Sequence, residues 1–116
     1  MTMTGQNAEI YQGDYRVLEV TVLDENEQPL DINGCDLTWV VYKLSTSVIS
    51  LTKTVGSGIE LTVPSGGIFE ITVEPADTVN LLGNYNHECE LTDSSSHPFT
   101  ILTGYFKVIR SVANKP

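Results

Sequence analysis

Positive charge is scarce in this sequence. Six lysines and arginines stand against fifteen acids, giving a net charge of −9. The bases Arg16, Lys43, Lys53, Lys107, Arg110 and Lys115 are scattered along the chain. Holding a phosphate backbone takes clustered bases, so nucleic acid is excluded as a partner. Apolar runs are short, and none approaches the roughly 20 residues a bilayer-spanning helix requires, so no membrane partner is expected. Met1 to Gln12 has neither a basic start nor an apolar stretch, and therefore does not read as a secretory signal. Synthesis in the cytoplasm without processing is the expectation. Cysteine is limited to Cys35 and Cys89, too few for a disulfide framework and not spaced as a metal knuckle. In a reducing compartment they read as two small buried hydrophobes, both reduced. Helical periodicity is also missing. Without a helix to cross between parallel strands, an α/β fold is excluded.

What is present is strand patterning. The 116 residues suffice for one domain with its own core. Short segments of period two recur with turn chemistry between them, the pattern of a sandwich or small barrel. Tyr15 to Leu23 puts Leu18, Val20 and Val22 on one face and Val17, Glu19 and Thr21 on the other. The polar turn Asp24-Glu25-Asn26-Glu27-Gln28-Pro29 follows, and Leu30 to Gly34 leads into the most apolar strand, Asp36 to Leu44. Ser50 to Val55 reads as an edge strand, with Lys53 guarding it against strand-to-strand aggregation. Ile59 to Val63 and Ile68 to Val73 flank Pro64-Ser65-Gly66-Gly67 and predict a β-hairpin. Pro75 suits a first helical position and Gly83 a helix C-terminal cap, which predicts one short helical turn. Tyr85, His87, Cys89 and Leu91 then share an inward face, with Asn86, Glu88 and Glu90 outward. After the turn Asp93 to Pro98, a long strand runs from Phe99 to Arg110, bent or bulged at Gly104.

Candidate chemistry is thin. A nucleophile needs a base that a third group orients, and only His87 and His97 are available. His87 alternates with core residues and reads as a satisfied histidine; His97 falls in a serine-rich turn. A zinc site from Cys35, His87 and Cys89 lacks the paired ligands on a tight turn that structural zinc uses. The turn Asp24 to Glu27, with Asp31 and Asp36 nearby, offers hard oxygen ligands but not the loop spacing of an EF-hand. Eight of the fifteen acids lie between Glu9 and Asp36. They form either a solvated face or an acidic patch that meets a basic partner surface. No catalytic, cofactor-binding or metal residue is assigned, no cofactor is expected, and the protein does not read as an enzyme.

Two features resemble immunoglobulin domains. Trp39 stands mid-strand where strand C carries its core tryptophan, and Asp77, Leu82, Gly83 and Tyr85 are similar to a tyrosine corner, whose hydroxyl bonds back to the chain. Cys89 departs from that pattern by following the tyrosine by four residues, and no partner cysteine lies in Tyr15 to Leu23. The fold class expected is therefore all-β, an immunoglobulin-like antiparallel sandwich of about 7–8 strands with one helical turn. It would occupy residues 13–110, between an N-terminal arm at 1–12 and a tail at 111–116. More specifically, the chain resembles small immunoglobulin-like proteins of tailed bacteriophages and prophages, such as the N-terminal domain of baseplate upper proteins. The shared pattern runs through Gly13-Asp14, Pro29 to Gly34, Gly67-Ile68-Phe69, Leu82 to Tyr85 and Thr103 to Val108. The resemblance implies a non-enzymatic structural component of the virion, in the tail, baseplate or head–tail region. Such a component is made in the host bacterial cytoplasm and docks on other virion proteins, as a homo-oligomer. It also implies that the fibre or receptor-binding part of larger relatives is missing. The contact surfaces suggested are Ser45 to Leu51 and Phe99 to Val108. The alternative is a carbohydrate- or cell-surface-binding module, which needs exposed aromatic rings such as Tyr42 or Tyr105.

Overall fold

The computed structural model describes residues 3–113; Met1, Thr2 and the tail residues from 114 onward, Lys115 included, lie outside the described residues. Alternating side chains build eight strands: β1 (Ala8–Tyr11), β2 (Arg16–Thr21), β3 (Asp36–Lys43), β4 (Val48–Val55), β5 (Gly58–Val63), β6 (Ile68–Val73), β7 (Gly83–Thr92) and β8 (Pro98–Ile109). One helical turn, α1 (Pro75–Thr78), precedes β7. The protein is all-β. Its strands form one mixed sheet in the order β1-β8-β7-β3-β4-β5-β6-β2. Pairing is antiparallel except at β1–β8 and β4–β5. The end strands β1 and β2 are consecutive in the chain, and Arg16 Nη1 donates to the Glu9 carbonyl at 2.6 Å. The sheet thus curls almost into a barrel.

The alternation that predicts the strands also fills the core. Leu37, Trp39 and Val41 from β3, with Tyr85, His87, Cys89 and Leu91 from β7, face inward. They meet Ile59 from β5 and Phe69, Ile71 and Val73 from β6 in one continuous cluster, His87 being its polar member. Trp39 is fully buried and packs edge-on against Phe106, ring centroids 5.6 Å apart. Such T-shaped pairs add to the plain burial of apolar area.

The hairpin expected between Ile59 and Val73 is present as β5 and β6, turning through a 3-10 segment at Pro64–Gly66. Gly67 has φ 73°. The turn is also a docking point, since Ile32 N donates to the Pro64 carbonyl and Val22 N to the Gly67 carbonyl. These bonds anchor the long β2–β3 connection to the hairpin.

Three local expectations change. Gly83 is not a helix cap: α1 ends at Thr78 with Val79 behind it, and Gly83, at φ 103°, opens β7 instead. A helix of one turn ends too early for Gly83 to cap it. Lys53 is not an edge guard. In the sheet order β4 lies between β3 and β5, and Lys53 Nζ forms a largely buried ion pair with Asp77 Oδ2 at 2.8 Å. That carboxylate is held in place by the Glu74 N–H, which donates to it at 2.7 Å. Gly104 is not the bulge either. The register shift in the β7–β8 ladder falls between Cys89 and Glu90, whereas Gly104 stands opposite His87 in regular pairing. Its missing side chain makes room for the Gln6 peptide, which a Cβ there would overlap.

Gly67 and Gly34 separate two kinds of glycine requirement. Both have positive φ, but a Cβ on Gly34 meets nothing within 4 Å, while one on Gly67 would lie 2.6 Å from the Val22 carbonyl oxygen. Gly34→Ala should therefore cost only the left-handed strain, about 1–2 kcal/mol. Gly67→Ala should exceed that by at least about 1 kcal/mol, because backbone must also move. Urea denaturation of the two variants measures the difference; equal losses would refute the collision.

Candidate functional site

A buried histidine beside a tryptophan is the first place to look for chemistry, and here both ring nitrogens are occupied. Trp39 Nε1 donates to His87 Nδ1 at 2.9 Å. The opposite nitrogen, Nε2, meets the Gln6 carbonyl oxygen at 2.5 Å. Since Nδ1 accepts, Nε2 must carry the proton, and the ring is the neutral tautomer. Burial holds the His87 pKa below the ordinary histidine value, opposed by the bond to Gln6. The ring links the core to the N-terminal segment, and no hydroxyl or thiol among its hydrogen-bond partners is poised as a nucleophile. Gln6 was not legible as its partner, because the two are 81 residues apart.

The other titratable candidates separate. His97 is exposed in the β7–β8 turn, with Nδ1 3.3 Å from Asp93 Oδ2. Cys35 and Cys89 are both free thiols. Cys89 pairs with Trp39, while Asp36 pairs with Thr92, so Cys35 lies near the far end of that ladder. Four residues of extended chain span ~13 Å, too far for a disulfide. Burial, with Glu90 and Glu88 adding to it, pushes the Cys89 thiol up to about 12. Cys35 is thus held away from His87 and Cys89, which share the inward face of β7. Among the described residues no cluster of His, Cys, Asp or Glu is arranged to hold a metal.

The acidic residues divide. Asp24, Glu25 and Asp31 meet at one end of the molecule and are joined there by Asp93, which the sequence reading places only in a turn. Glu27 and Asp36 do not join them. The carboxylates are fixed by backbone donors: Asp24 Oδ1 accepts from Asn26 N and Gln28 N, Asp31 Oδ1 from Asn33 N, and Asp93 Oδ1 from Ser95 N and His97 N. These bonds to the charged form hold the Asp31 and Asp93 carboxyls below the usual carboxylate range. Between the acids opens a groove of about 310 Å³. Its floor is Val22, Leu91 and Ile101, all buried, and its walls include Leu30 and Phe99.

A second surface lies on the outward face of the sheet. Register places Tyr105, Asn86, Tyr42 and Ile49 in one row across β8, β7, β3 and β4. Adjacent strands are ~4.8 Å apart, so the row spans ~14 Å. Tyr105 is 65% exposed and Ile49 56%, and Leu44 is exposed beside them, while Val48, opposite Lys43, projects from the other face. Of the two stretches singled out as contact surfaces, Ser45 to Leu51 therefore contributes Ile49. Phe99 to Val108 contributes Tyr105, because Ile101, Leu102, Phe106 and Val108 are core and Phe99, opposite Leu91, faces the groove. No protein-family model and no curated protein matches this chain.

The His87 arrangement carries a pH dependence of known sign. Protonating Nδ1 would set it donor-to-donor against the indole N–H. The unfolded chain takes up that proton near the ordinary pKa of ~6.5 and the folded chain only at lower pH. Stability from the neutral ring is thus complete above ~6.5 and declines as pH falls toward the folded value. Thermal melts across this interval should show the decline, flattened in His87→Gln. The Asp31 and Asp93 contributions are lost at still lower pH, since those carboxyls start below the usual range. A profile identical in the variant would exclude His87 as the cause.

Proposed function

We propose that this protein is a non-enzymatic assembly component of a tailed phage or prophage particle, built on an immunoglobulin-like sandwich. Two stretches of the strand order support the sandwich reading: β8-β7-β3-β4 and β5-β6-β2, joined by pairing only at Thr54–Gly58 and Val55–Ile59. Read as two leaves, they follow the arrangement in which strands G, F, C and C′ oppose D, E and B. Trp39 then takes the strand C position. The Tyr85 hydroxyl accepts from Leu82 N at 3.4 Å, a bond back to the chain of the tyrosine-corner kind. The phage assignment rests on the sequence resemblance.

The observation that carries an assembly role is the outward row Tyr105-Asn86-Tyr42-Ile49, with Leu44 exposed beside it. Exposed apolar side chains gathered on one face mark contact surfaces. From Leu44 to Thr52 the chain carries no charge, which keeps the desolvation penalty low at that end of the row, while Glu88 lies beside Tyr42. The particle would be a virion, the partners its other proteins or further copies of this chain, and the substructure its tail, baseplate or head–tail region.

Sedimentation of the purified protein, with pull-downs of the co-encoded virion proteins, tests this reading. Self-association or capture of one such protein is expected. Ile49→Glu with Tyr105→Ser should weaken it by tenfold or more, about 1.4 kcal/mol, with the melting temperature little changed. A strict monomer that captures no virion protein would end the proposal.

A second reading draws on the same row. Tyr42 and Tyr105 flank Asn86, two rings with an amide between them, the composition of a sugar-binding platform. A glycan array showing specific binding, lost in Tyr42→Ala and Tyr105→Ala, would favour a carbohydrate- or cell-surface-binding module instead.

A further inference from the structure

We infer that the groove between the β2–β3 connection and the β7–β8 turn receives a segment of a partner protein in which apolar side chains are flanked by arginine or lysine. This inference rests on the reading of the protein as an assembly component and names the chemistry of one contact.

Size comes first. At about 310 Å³ the groove is at the lower end of ligand pockets. It has room for one or two large side chains. The lining is apolar where such side chains would sit: Val22, Leu91 and Ile101 beneath, Leu30 and Phe99 beside them. Phe99 is 46% exposed and Leu30 36%. Covering them removes apolar area from water at about 25 cal/mol per Å².

Charge selects the occupant. The ionisable carboxyls on the rim are Asp24, Glu25, Asp31 and Asp93, and among the described residues no lysine or arginine lines the groove. The three aspartates are immobilised by the backbone amides described above, so their negative field is already in place before anything binds. Cys35, on the same lining, registers that field: burial raises its thiol, and Asp93, Asp31 and Asp36 raise it further. An acidic segment would be repelled, and a neutral one would leave the carboxylates unanswered. A segment with cationic flanks answers both the floor and the rim. A second copy of this chain fits poorly. Two molecules at −9 repel, and Lys43 and Lys53 are engaged with the Tyr85 ring and Asp77, which leaves few cations for the groove of a second copy, Lys107 and Arg110 being exposed on the described surface.

Cys35 supplies the readout, because Cys89 is fully buried and stays silent. The first measurement compares the rates at which a cationic and an anionic methanethiosulfonate modify Cys35, each normalised to N-acetylcysteine amide. The cationic reagent should be favoured by roughly tenfold or more, and the preference should shrink in Glu25→Gln/Asp31→Asn. The second uses the blocked peptide acetyl-Arg-Leu-Phe-Arg-amide as the probe, at concentrations up to about a millimolar, the affinity expected of a short segment. It should slow Cys35 alkylation by neutral iodoacetamide in the wild type. Phe99→Ser should abolish that protection while retaining the reagent preference, which shows that the variant remains folded. Equal protection by acetyl-Arg-Ser-Ser-Arg-amide would reduce the site to simple cation attraction and overturn the inference. So would equal protection by acetyl-Glu-Leu-Phe-Glu-amide, or no protection by the first peptide. Should the groove fail while sedimentation and pull-downs still show assembly, only the location is wrong. Should the peptide bind to a protein that neither self-associates nor captures a virion protein, the groove stands and the assembly reading falls.

Discussion

A buried indole N–H must find an acceptor, and much of this molecule is arranged around how Trp39 finds one. The acceptor is His87 Nδ1, on the neighbouring strand. That bond fixes the tautomer, the tautomer points a proton at Gln6, and the Gln6 peptide in turn occupies the space above Gly104. Unsatisfied, the indole donor would carry a desolvation penalty of about 1–3 kcal/mol. The N-terminal segment is therefore not an appendage. It delivers the carbonyl that completes the chain of donors and continues into β1, which runs parallel to β8. One polar relay thus joins the core tryptophan, the inward face of β7 and Gln6 ahead of β1.

Once the inward face is committed to that core, the outward positions are left for contacts. The alternation that buries Tyr85, His87 and Cys89 turns Asn86, Glu88 and Glu90 outward. The same rule turns Tyr42 and Tyr105 outward and aligns them across the sheet. At the end of the molecule the logic differs. There the backbone leaves the ladder, and aspartates take over as acceptors for loop amides. Apolar floor and fixed anions coexist because core strands stop beneath polar turns.

Local signals were legible in the sequence wherever the relevant partners are close in the chain. The hairpin about Pro64 to Gly67 and the inward face of Tyr85 to Leu91 rest on alternation and turn chemistry, and both are present. What escaped depends on distance. Lys53 looks like an edge guard until α1 supplies Asp77, and Gly104 looks like a bulge until Gln6 lies across it. The groove was half visible. Asp24, Glu25 and Asp31 stood out as an acidic stretch, but Asp93 and Phe99 come from the far side of the β7–β8 turn, and nothing in the linear order joins them to the rest.

The pairing between β4 and β5 has a mechanical consequence. The ladder between β7 and β8 runs unbroken in hydrogen bonding from Gly83 to Thr92 apart from its one shift, while β4 meets β5 only at Thr54 and Val55. Pulled apart at that junction, the molecule would open there first, since few bonds share the load. The halves on either side would keep their own ladders. A tensile force transmitted through the protein is therefore felt as hinging at Gly56 and Ser57 before it is felt as unravelling.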